Sequence, residues 1–127
     1  LDITCFADTN ELSTSLDFVM HDSIAGMDMI DREFMRGFVK LYALWKASQG
    51  EVYGMQIMEE MRELGFKVGP GTLYPVLHTL LEERDLTVTN RLVNGKIRKC
   101  YRATVKGRKE AEEVIERLSF MLRKVFR

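Results

Sequence analysis

The sequence predicts a mainly α-helical domain with one small antiparallel β-hairpin and a long C-terminal helix. Three observations support this prediction. Four segments carry apolar residues at three- and four-residue steps, which is the spacing of a helix with one buried face. A segment rich in threonine, valine and isoleucine contains Asn94-Gly95, a strong signal for a hairpin turn. The last apolar pattern runs from about Val105 to Phe126, which corresponds to about 30 Å of helix.

The composition is that of a globular protein with one modest core. Of the 127 residues, 46% are hydrophobic and 30% are charged. The chain contains no run of about 18 apolar residues, so we expect no membrane helix, and it does not open with a basic-then-apolar signal sequence. Its two cysteines, Cys5 and Cys100, lack the spacing of metal ligands or of a disulfide framework. We therefore expect a cytoplasmic protein with reduced thiols.

Charge is distributed unevenly along the chain, although the formal net charge is zero. Residues 1–31 contain seven acidic residues and no lysine or arginine, so the other 96 residues hold 12 acidic and 19 basic residues. We predict an acidic N-terminal extension over residues 1–27, followed by a basic body. A basic body favours an anionic partner, whereas an acidic leader can also serve only to keep the protein soluble. Charge alone does not decide between these two interpretations.

Two helices are predicted before the first proline. The first is capped by Asp28 and runs to about Ser48, with its large apolar residues on one core-facing stripe. That stripe consists of Ile30, Phe34, Phe38, Leu41 and Trp45. The second helix runs from about Val52 to Leu64, and Gly65 suits the left-handed conformation that closes a helix.

The stretch GPGTLYPVLHTL, residues 69 to 80, predicts a third helix. Pro70 suits its first position, where a missing N–H is tolerated, and Pro75 still lies close to the first turn. One face is apolar and is expected to point inward: Leu73, Val76, Leu77, Leu80 and Leu81. The other face is expected to point outward: Thr72, Tyr74, Pro75, His78 and Thr79. Because this outward face has no acidic residue before Glu82, its N-terminus can approach a polyanion, and the helix dipole favours phosphate there.

The hairpin register follows from placing the turn at Asn94-Gly95. The expected cross-strand pairs are Val93 with Lys96, Leu92 with Ile97, Arg91 with Arg98, and Val88 with Tyr101. One face is then apolar and carries Leu86, Val88, Leu92, Ile97, Tyr101 and Ala103. The other face, here called the basic face, carries Arg91, Lys96, Arg98 and Arg102, interleaved with Thr87, Thr89 and Cys100.

The basic face has two interpretations. Arg91 opposite Arg98 is an unfavourable pair, and no acidic residue occurs within the hairpin to offset it, which favours an external anion as the partner. Alternatively, the basic face is a solvated surface whose charges discourage edge-to-edge pairing. Cys100 on this face is expected to be a half-exposed structural cysteine rather than an oxidant sensor, since no second cysteine is near in sequence.

Thr104 is the expected cap of the final helix. Its apolar stripe continues for more than twenty residues, which is longer than a small three-helix core can cover. The stripe comprises Ala111, Val114, Ile115, Leu118, Met121, Leu122, Val125 and Phe126. An apolar surface left over in this way usually contacts a partner, and the commonest partner is a second copy related by two-fold symmetry. The dimerisation residues are expected to be Ile115, Leu118, Met121, Leu122 and Val125.

The order of these elements is that of a winged helix-turn-helix domain followed by a dimerisation helix. Three strings in this order and spacing, YGMQIMEEM, GTLYPVLHTLLEERDL and RKCYRATVKGRKEAEE, make the chain resemble the PadR family of transcriptional regulators. The resemblance covers about residues 33–125. It divides the chain into the extension at 1–27, a winged helix-turn-helix domain at 28–104 and a dimerisation helix at 105–127.

The resemblance implies a sequence-specific DNA-binding regulator that acts as a homodimer on a palindromic promoter site. It also implies a repressor that a small phenolic or flat hydrophobic molecule releases. On this chain the third helix becomes the recognition helix, whose exposed readers are Thr72, Tyr74, Pro75 and His78. The hairpin becomes the wing, with phosphate contacts from Arg91, Lys96, Arg98 and Arg102 and secondary ones from Lys67 and Lys99. Relatives usually have glycine before the first hairpin strand; here Arg84-Asp85 takes that place, and Asp85 is expected to adopt the left-handed conformation.

Two other function classes compete with a DNA-binding regulator. An enzyme is not predicted, because His21 and His78 show no evident catalytic constellation with a serine, a cysteine or a carboxylate. The chain also has no glycine-rich phosphate loop, no metal-ligand cluster and no cofactor motif. The stronger alternative is a winged-helix module that binds protein rather than DNA, since fold alone does not determine function. Such a module would carry apolar or acidic groups on its wing, whereas this wing is basic and free of acidic residues.

Overall fold

The computed structural model describes residues 29–126 of the chain, with side chains from Arg32 onward. Its elements, in order, are α1 (Met29–Gln49), β1 (Val52–Tyr53), α2 (Gly54–Glu63), α3 (Pro70–Glu82), β2 (Leu86–Val93), β3 (Lys96–Ala103) and α4 (Val105–Val125). This arrangement confirms the predicted mainly helical fold with a hairpin and a long C-terminal helix. The acidic extension at 1–27 and the Asp28 cap lie outside the described residues. Within residues 29–126, none of the helices combines the length with the apolar composition that a membrane span requires.

The core forms where α1 packs against α3, α4 and the sheet. The α1 residues that enter it are Met35, Val39, Ala43, Leu44 and Ala47. The predicted core stripe of α1 is confirmed only in part, because it lies beside this set. Three of its residues are half-buried and pack against the core, namely Phe38, Leu41 and Trp45, whereas Phe34 is 61% exposed and the Ile30 side chain lies outside the described residues. The small alanines let neighbouring elements approach α1 closely, so the larger apolar residues flank the contact instead of filling it.

A polar bridge joins α1 to α2. Tyr42 Oη donates to Glu60 Oε2 at 2.7 Å, and Lys46 Nζ lies 3.2 Å from Glu60 Oε1. Burial, with a further contribution from Glu60, raises the pKa of the Tyr42 hydroxyl well above its ordinary value. The hydroxyl therefore stays protonated at neutral pH and keeps donating to the carboxylate, which fixes α2 against the long helix.

The sheet has three antiparallel strands in the order β1-β3-β2. The register of β2 against β3 confirms the predicted pairs, from Val93 opposite Lys96 at the turn to Val88 opposite Tyr101. Asn94 and Gly95 both have positive φ, at 51° and 78°. A two-residue turn whose twist matches that of the strands requires this conformation at both positions, which explains why Asn-Gly occurs here.

The prediction that the second helix begins at about Val52 is wrong, because Val52 and Tyr53 form the edge strand β1. Val52 lies opposite Tyr101, and Tyr53 lies opposite Cys100 on β3. The Tyr53 backbone N–H donates to Gln56 Oε1 at 3.0 Å, so the first turn of α2 closes back on the strand. A strand of two residues is too short to show the alternation by which a strand is recognised in a sequence.

Two turns set the position of the hairpin. Gly65 follows α2 with a φ of 92°, as predicted. Before β2 the left-handed residue is Arg84, with a φ of 62°, so the expectation for Asp85 is wrong. Asp85 is instead buried, and its Oδ1 accepts from Lys106 Nζ at 2.8 Å. Its carbonyl accepts from the Thr104 N–H at 3.0 Å, so the start of the hairpin is fastened to the start of α4.

Gly107 lies in this joint and allows its close packing. The Thr104 side chain accepts from the Gly107 N–H at 3.0 Å, which confirms Thr104 as the cap of α4. A Cβ at Gly107 would collide with the Asp85 carbonyl oxygen. We therefore expect Gly107→Ala to lower the free energy of unfolding by about 1–3 kcal/mol, measured by chemical denaturation.

Gly37→Ala on α1 is the matched control, because no atom of residues 32–126 outside the local backbone of α1 lies within 4 Å of the added Cβ. It should leave stability unchanged or raise it by up to about 1 kcal/mol, through better helix propensity. Equal losses in the two variants would contradict this account of the joint.

Candidate nucleic-acid interface

α3 begins as its sequence predicts. Gly69 is the cap, Pro70 occupies the first helical position, and the Leu73 N–H donates to the Gly69 carbonyl at 3.0 Å. The predicted inward face is confirmed, with three buried residues followed by two half-buried ones: Leu73, Leu77, Leu80, Val76 and Leu81. This apolar anchor leaves the opposite side of α3 available to another molecule.

The outward face of α3 is exposed and free of acidic residues in its first turn. Thr72, Pro75 and His78 are all exposed. His78 Nε2 lies 3.0 Å from Glu82 Oε1, one turn further along, and the two side chains are 72% and 68% exposed. An exposed pair of this kind contributes little to stability, so His78 can turn toward a ligand at small cost.

Tyr74 occupies a junction rather than a free outward position. Its side chain is 43% exposed, and its ring packs on the start of α2. A Cβ added to Gly54 would lie 3.0 Å from Tyr74 Oη, so glycine at that position makes room for the ring. The Tyr101 hydroxyl is near as well: burial raises its pKa, and Tyr74 adds to the shift. Tyr74 therefore holds α3 against α2 and presents less than half of its surface to solvent.

Arg91 on the basic face has a carboxylate partner from outside the hairpin. Its Nε donates to Glu51 Oε2 at 2.7 Å, and its Nη2 donates to Glu51 Oε1 at 2.5 Å. The hydrogen bond from Arg91 holds the pKa of the Glu51 carboxyl below its ordinary value. The inference that the Arg91–Arg98 pair needs an external anion is therefore wrong, because Glu51 supplies the negative charge. The two-residue strand β1, invisible in the sequence pattern, brings Glu51 to this face, which is why sequence reasoning missed it.

The other predicted phosphate contacts form no ion pair within residues 32–126: Lys67, Lys96, Arg98, Lys99 and Arg102. Arg98 is half-buried, and its Nη1 lies 3.7 Å from Met55 Sδ at the start of α2. Lys99 lies opposite Asn90, so strand alternation places it on the apolar face, away from the other basic residues of the hairpin.

The hairpin is buried at its base and exposed at its tip. Cys100 is only 2% exposed, because β1 pairs alongside it, so the expected half-exposure is wrong. On the apolar face Leu86 and Tyr101 are buried, whereas the cross-strand pair of Leu92 and Ile97 is 76% and 75% exposed. An exposed apolar pair at a hairpin tip is available for contact with another molecule.

The distal half of α4 exposes an apolar strip. Ala111 is buried, and Ile115 and Leu118 are half-buried. Beyond them, about half or more of each side chain is exposed in the segment here called the α4 strip: Met121, Leu122, Val125 and Phe126. Phe120 lies on another side of the helix, where Lys124 Nζ is 5.9 Å from its ring centroid. An exposed apolar strip of this kind is available for contact with another molecule.

Comparison with known proteins gives both a family and close relatives. The family model described as the transcriptional regulator PadR-like family matches residues 43–113. The chain is also similar to the transcriptional regulator Rv3488 of Mycobacterium tuberculosis, with 40% identity over 94 residues. That match covers 74% of this chain and 88% of the relative.

Solved structures share the fold. A PadR-like transcription factor from Bacteroides fragilis superposes with a TM-score of 0.66 and 23% identity, over 77% of this chain and 96% of the other. Bacillus subtilis PadR, solved in complex with operator DNA, gives a TM-score of 0.55 and 26% identity, over 60% of this chain and 45% of the other. These matches confirm the predicted winged helix-turn-helix fold with a long C-terminal helix.

Proposed function

Because the chain belongs to the PadR-like family of transcriptional regulators, we propose that it binds a palindromic promoter site as a homodimer. In this proposal residues 28–104 contact DNA, and residues 105–127 join the two copies. We propose further that the dimer is a repressor that a small hydrophobic or aromatic effector releases. The family consists of transcription regulators rather than enzymes, and no cluster of potential metal ligands occurs within the described residues.

One juxtaposition carries the proposal of DNA binding. Tyr74 of α3 packs on Gly54, and Arg98 of the basic face contacts the next residue, Met55. The exposed first turns of α3 and the basic face of the hairpin therefore meet at the start of α2. A helix that enters the major groove and a hairpin that contacts the flanking backbone need this arrangement.

The residues divide between base reading and phosphate contact. The exposed face of α3 carries Thr72, Pro75 and His78, with Tyr74 as a half-buried neighbour. These side chains suit apolar contact with thymine methyl groups and hydrogen bonds to base edges. No arginine or lysine lies in α3, so part of the sequence choice rests on DNA shape. We assign the phosphate contacts to basic side chains, led by the exposed Lys96 and Arg102 and the half-buried Arg98, with Lys67 and Lys99 at the flanks.

Recovery of bound DNA from cells tests this function. The tagged protein is crosslinked in cells, and the recovered fragments are sequenced. We expect enrichment of an inverted repeat with half-site centres about 10 base pairs, or a multiple of that, apart. Fragments recovered in proportion to their abundance in the genome, without a shared motif, would contradict a sequence-specific regulator.

An aromatic row along α1 supports the proposed effector. The rings of Phe34, Phe38, Tyr42 and Trp45 follow one another at centroid distances of 6.3, 6.4 and 6.2 Å. Phe66 adds a fifth ring, 5.1 Å from that of Phe38. Because the row is only half-buried and Phe34 is 61% exposed, a flat apolar molecule can stack on it.

Trp45 is the only tryptophan of the chain, so its fluorescence reports directly on this row. We expect a phenolic acid, or a planar aromatic such as acridine, to quench this emission and to weaken DNA binding over the same concentration range. If these compounds change neither the Trp45 emission nor DNA binding up to their solubility limit, the aromatic row is not the effector site.

A protein-binding module is the second candidate function, and the exposed Leu92–Ile97 pair favours it. In that case the hairpin tip, rather than the basic face, carries the interaction. Replacing Leu92 and Ile97 with serine would then abolish the interaction, and replacing the basic residues would have little effect. The salt dependence of DNA binding separates these two candidates.

A further inference from the structure

We propose that Glu51 competes with DNA phosphate for Arg91 and thereby weakens the binding of the hairpin to DNA. This inference rests on the proposed DNA-binding function and adds a residue that tunes it. Glu51 belongs neither to the hairpin nor to α3, although its side chain reaches the basic face of the hairpin.

The topology brings Glu51 onto the basic face. It immediately precedes β1, whose Tyr53 lies opposite Cys100 on β3. Strand alternation then places Glu51, Tyr53 and Cys100 on one face of the sheet. Arg91 and Arg98, which oppose each other across β2 and β3, occupy the same face. The carboxylate therefore lies among the arginines that would contact phosphate.

The hydrogen-bond geometry makes the competition direct. Two nitrogens of Arg91, Nε and Nη2, each donate to a different oxygen of Glu51. Arginine binds phosphate through the same planar fork, so the carboxylate and a phosphate cannot occupy this edge together. The lowered pKa of Glu51 means that the carboxylate is ionised at neutral pH. Arg91 thus approaches DNA with its charge already offset.

Exposure allows the pair to open. The Arg91 side chain is 52% exposed and that of Glu51 is 27% exposed, so solvent and ions reach both. DNA must displace Glu51, bind Arg91 through the remaining Nη1 donors with its charge offset, or bind without Arg91. Each route weakens binding, and the last also releases one fewer counterion. Arg98 differs, because its neighbour is the Met55 sulfur rather than a carboxylate.

The test compares Glu51→Gln with the wild type on DNA. Fluorescence anisotropy measures binding of a labelled mixed-sequence duplex of about 40 base pairs between about 50 and 200 mM NaCl. We expect Glu51→Gln to bind about threefold to tenfold more tightly at low salt, with a salt slope steeper by up to about 0.9. In an Arg91→Gln background the same change should have a smaller effect, because the competition for Arg91 is gone and only the weaker attraction between Glu51 and Arg102 remains.

A control removes the same charge elsewhere. Glu113→Gln, on the exposed side of α4, should leave affinity and slope unchanged, and circular dichroism should show that all variants fold. Glu51→Gln with wild-type affinity and slope would overturn the proposal, as would an equal gain in the Arg91→Gln background, which would indicate a general charge effect. If the wild type itself does not bind duplex DNA at low salt, the proposed function fails as well, and the two failures are thus distinguishable.

Discussion

We expect the double variant Leu122→Glu, Val125→Glu to sediment as a monomer of 14.7 kDa, where the wild type sediments at twice that mass. The two side chains are 49% and 66% exposed in the single chain, so the substitutions leave the core of each copy unchanged. In a two-fold dimer they would place four carboxylates in a buried apolar contact, where unpaired charge is strongly unfavourable. The monomer should also bind a two-half-site duplex at least about 100-fold more weakly, since it loses the second attachment.

A matched variant changes the net charge equally without touching the α4 strip. Lys109→Gln with Arg117→Gln removes two positive charges from exposed positions on α4. This variant should remain a dimer and keep its affinity for the two-half-site duplex. If Leu122→Glu, Val125→Glu is also a dimer, the α4 strip is not the main interface, and another exposed apolar surface, such as the one that includes Phe34, must serve instead.

The second large effect is expected from the basic face. Replacing Arg98 and Arg102 with glutamine should weaken binding to every DNA sequence by about 10- to 100-fold at low salt, because two charged hydrogen bonds to phosphate are lost. The slope of log affinity against log salt should fall by about 1.8, since each phosphate contact contributes about 0.9. Arg91 is left unchanged in this variant, because Glu51 already offsets its charge.

The Lys109→Gln, Arg117→Gln pair serves as the control here too, since it removes the same charge from α4. Its salt slope should equal that of the wild type. An unchanged slope in the Arg98→Gln, Arg102→Gln variant would mean that the hairpin does not contact phosphate. Such a result would favour the protein-binding alternative with Leu92 and Ile97 at its centre.

The parts of the fold that the sequence predicted correctly depend on local chemistry. Asn94-Gly95 fixes the turn and therefore the register of the hairpin, because both residues must adopt positive φ. Pro70 at the first position of α3 and Gly65 after α2 likewise mark helix ends through their own backbone preferences. In each case the backbone preference of one or two residues was enough to predict the turn or the helix end.

The errors share a different cause, which is packing between distant segments. β1 has two residues and no periodicity, yet it buries Cys100 and brings Glu51 to Arg91. The core face of α1 is set by where its alanines let other elements approach, and the largest side chains do not mark it. Tyr74 sits on the outward side of α3 by helical spacing, but a glycine twenty residues earlier makes room for its ring. None of these contacts leaves a local pattern in the sequence.

The position of Asp85 shows the same limit at a single site. Its residue type suits a left-handed turn, but the neighbouring Arg84 adopts that conformation. The buried Asp85 carboxylate accepts a hydrogen bond from Lys106, twenty-one residues later. This contact between segments, rather than the local backbone preference, determines the position of Asp85. Local propensity is a weak guide wherever a buried carboxylate pairs with a residue of another segment.

In the proposed assembly, a two-fold dimer places one α3 in each of two half-sites. Binding of the wild type to three duplexes tests this arrangement most directly: the inverted repeat recovered from cells, the same duplex with one half-site scrambled, and a duplex with both scrambled. We predict two chains per intact duplex and a loss of at least about 100-fold when either half-site is scrambled. Equal affinity for the intact and the half-scrambled duplex, or one chain bound per intact duplex, would contradict the claim.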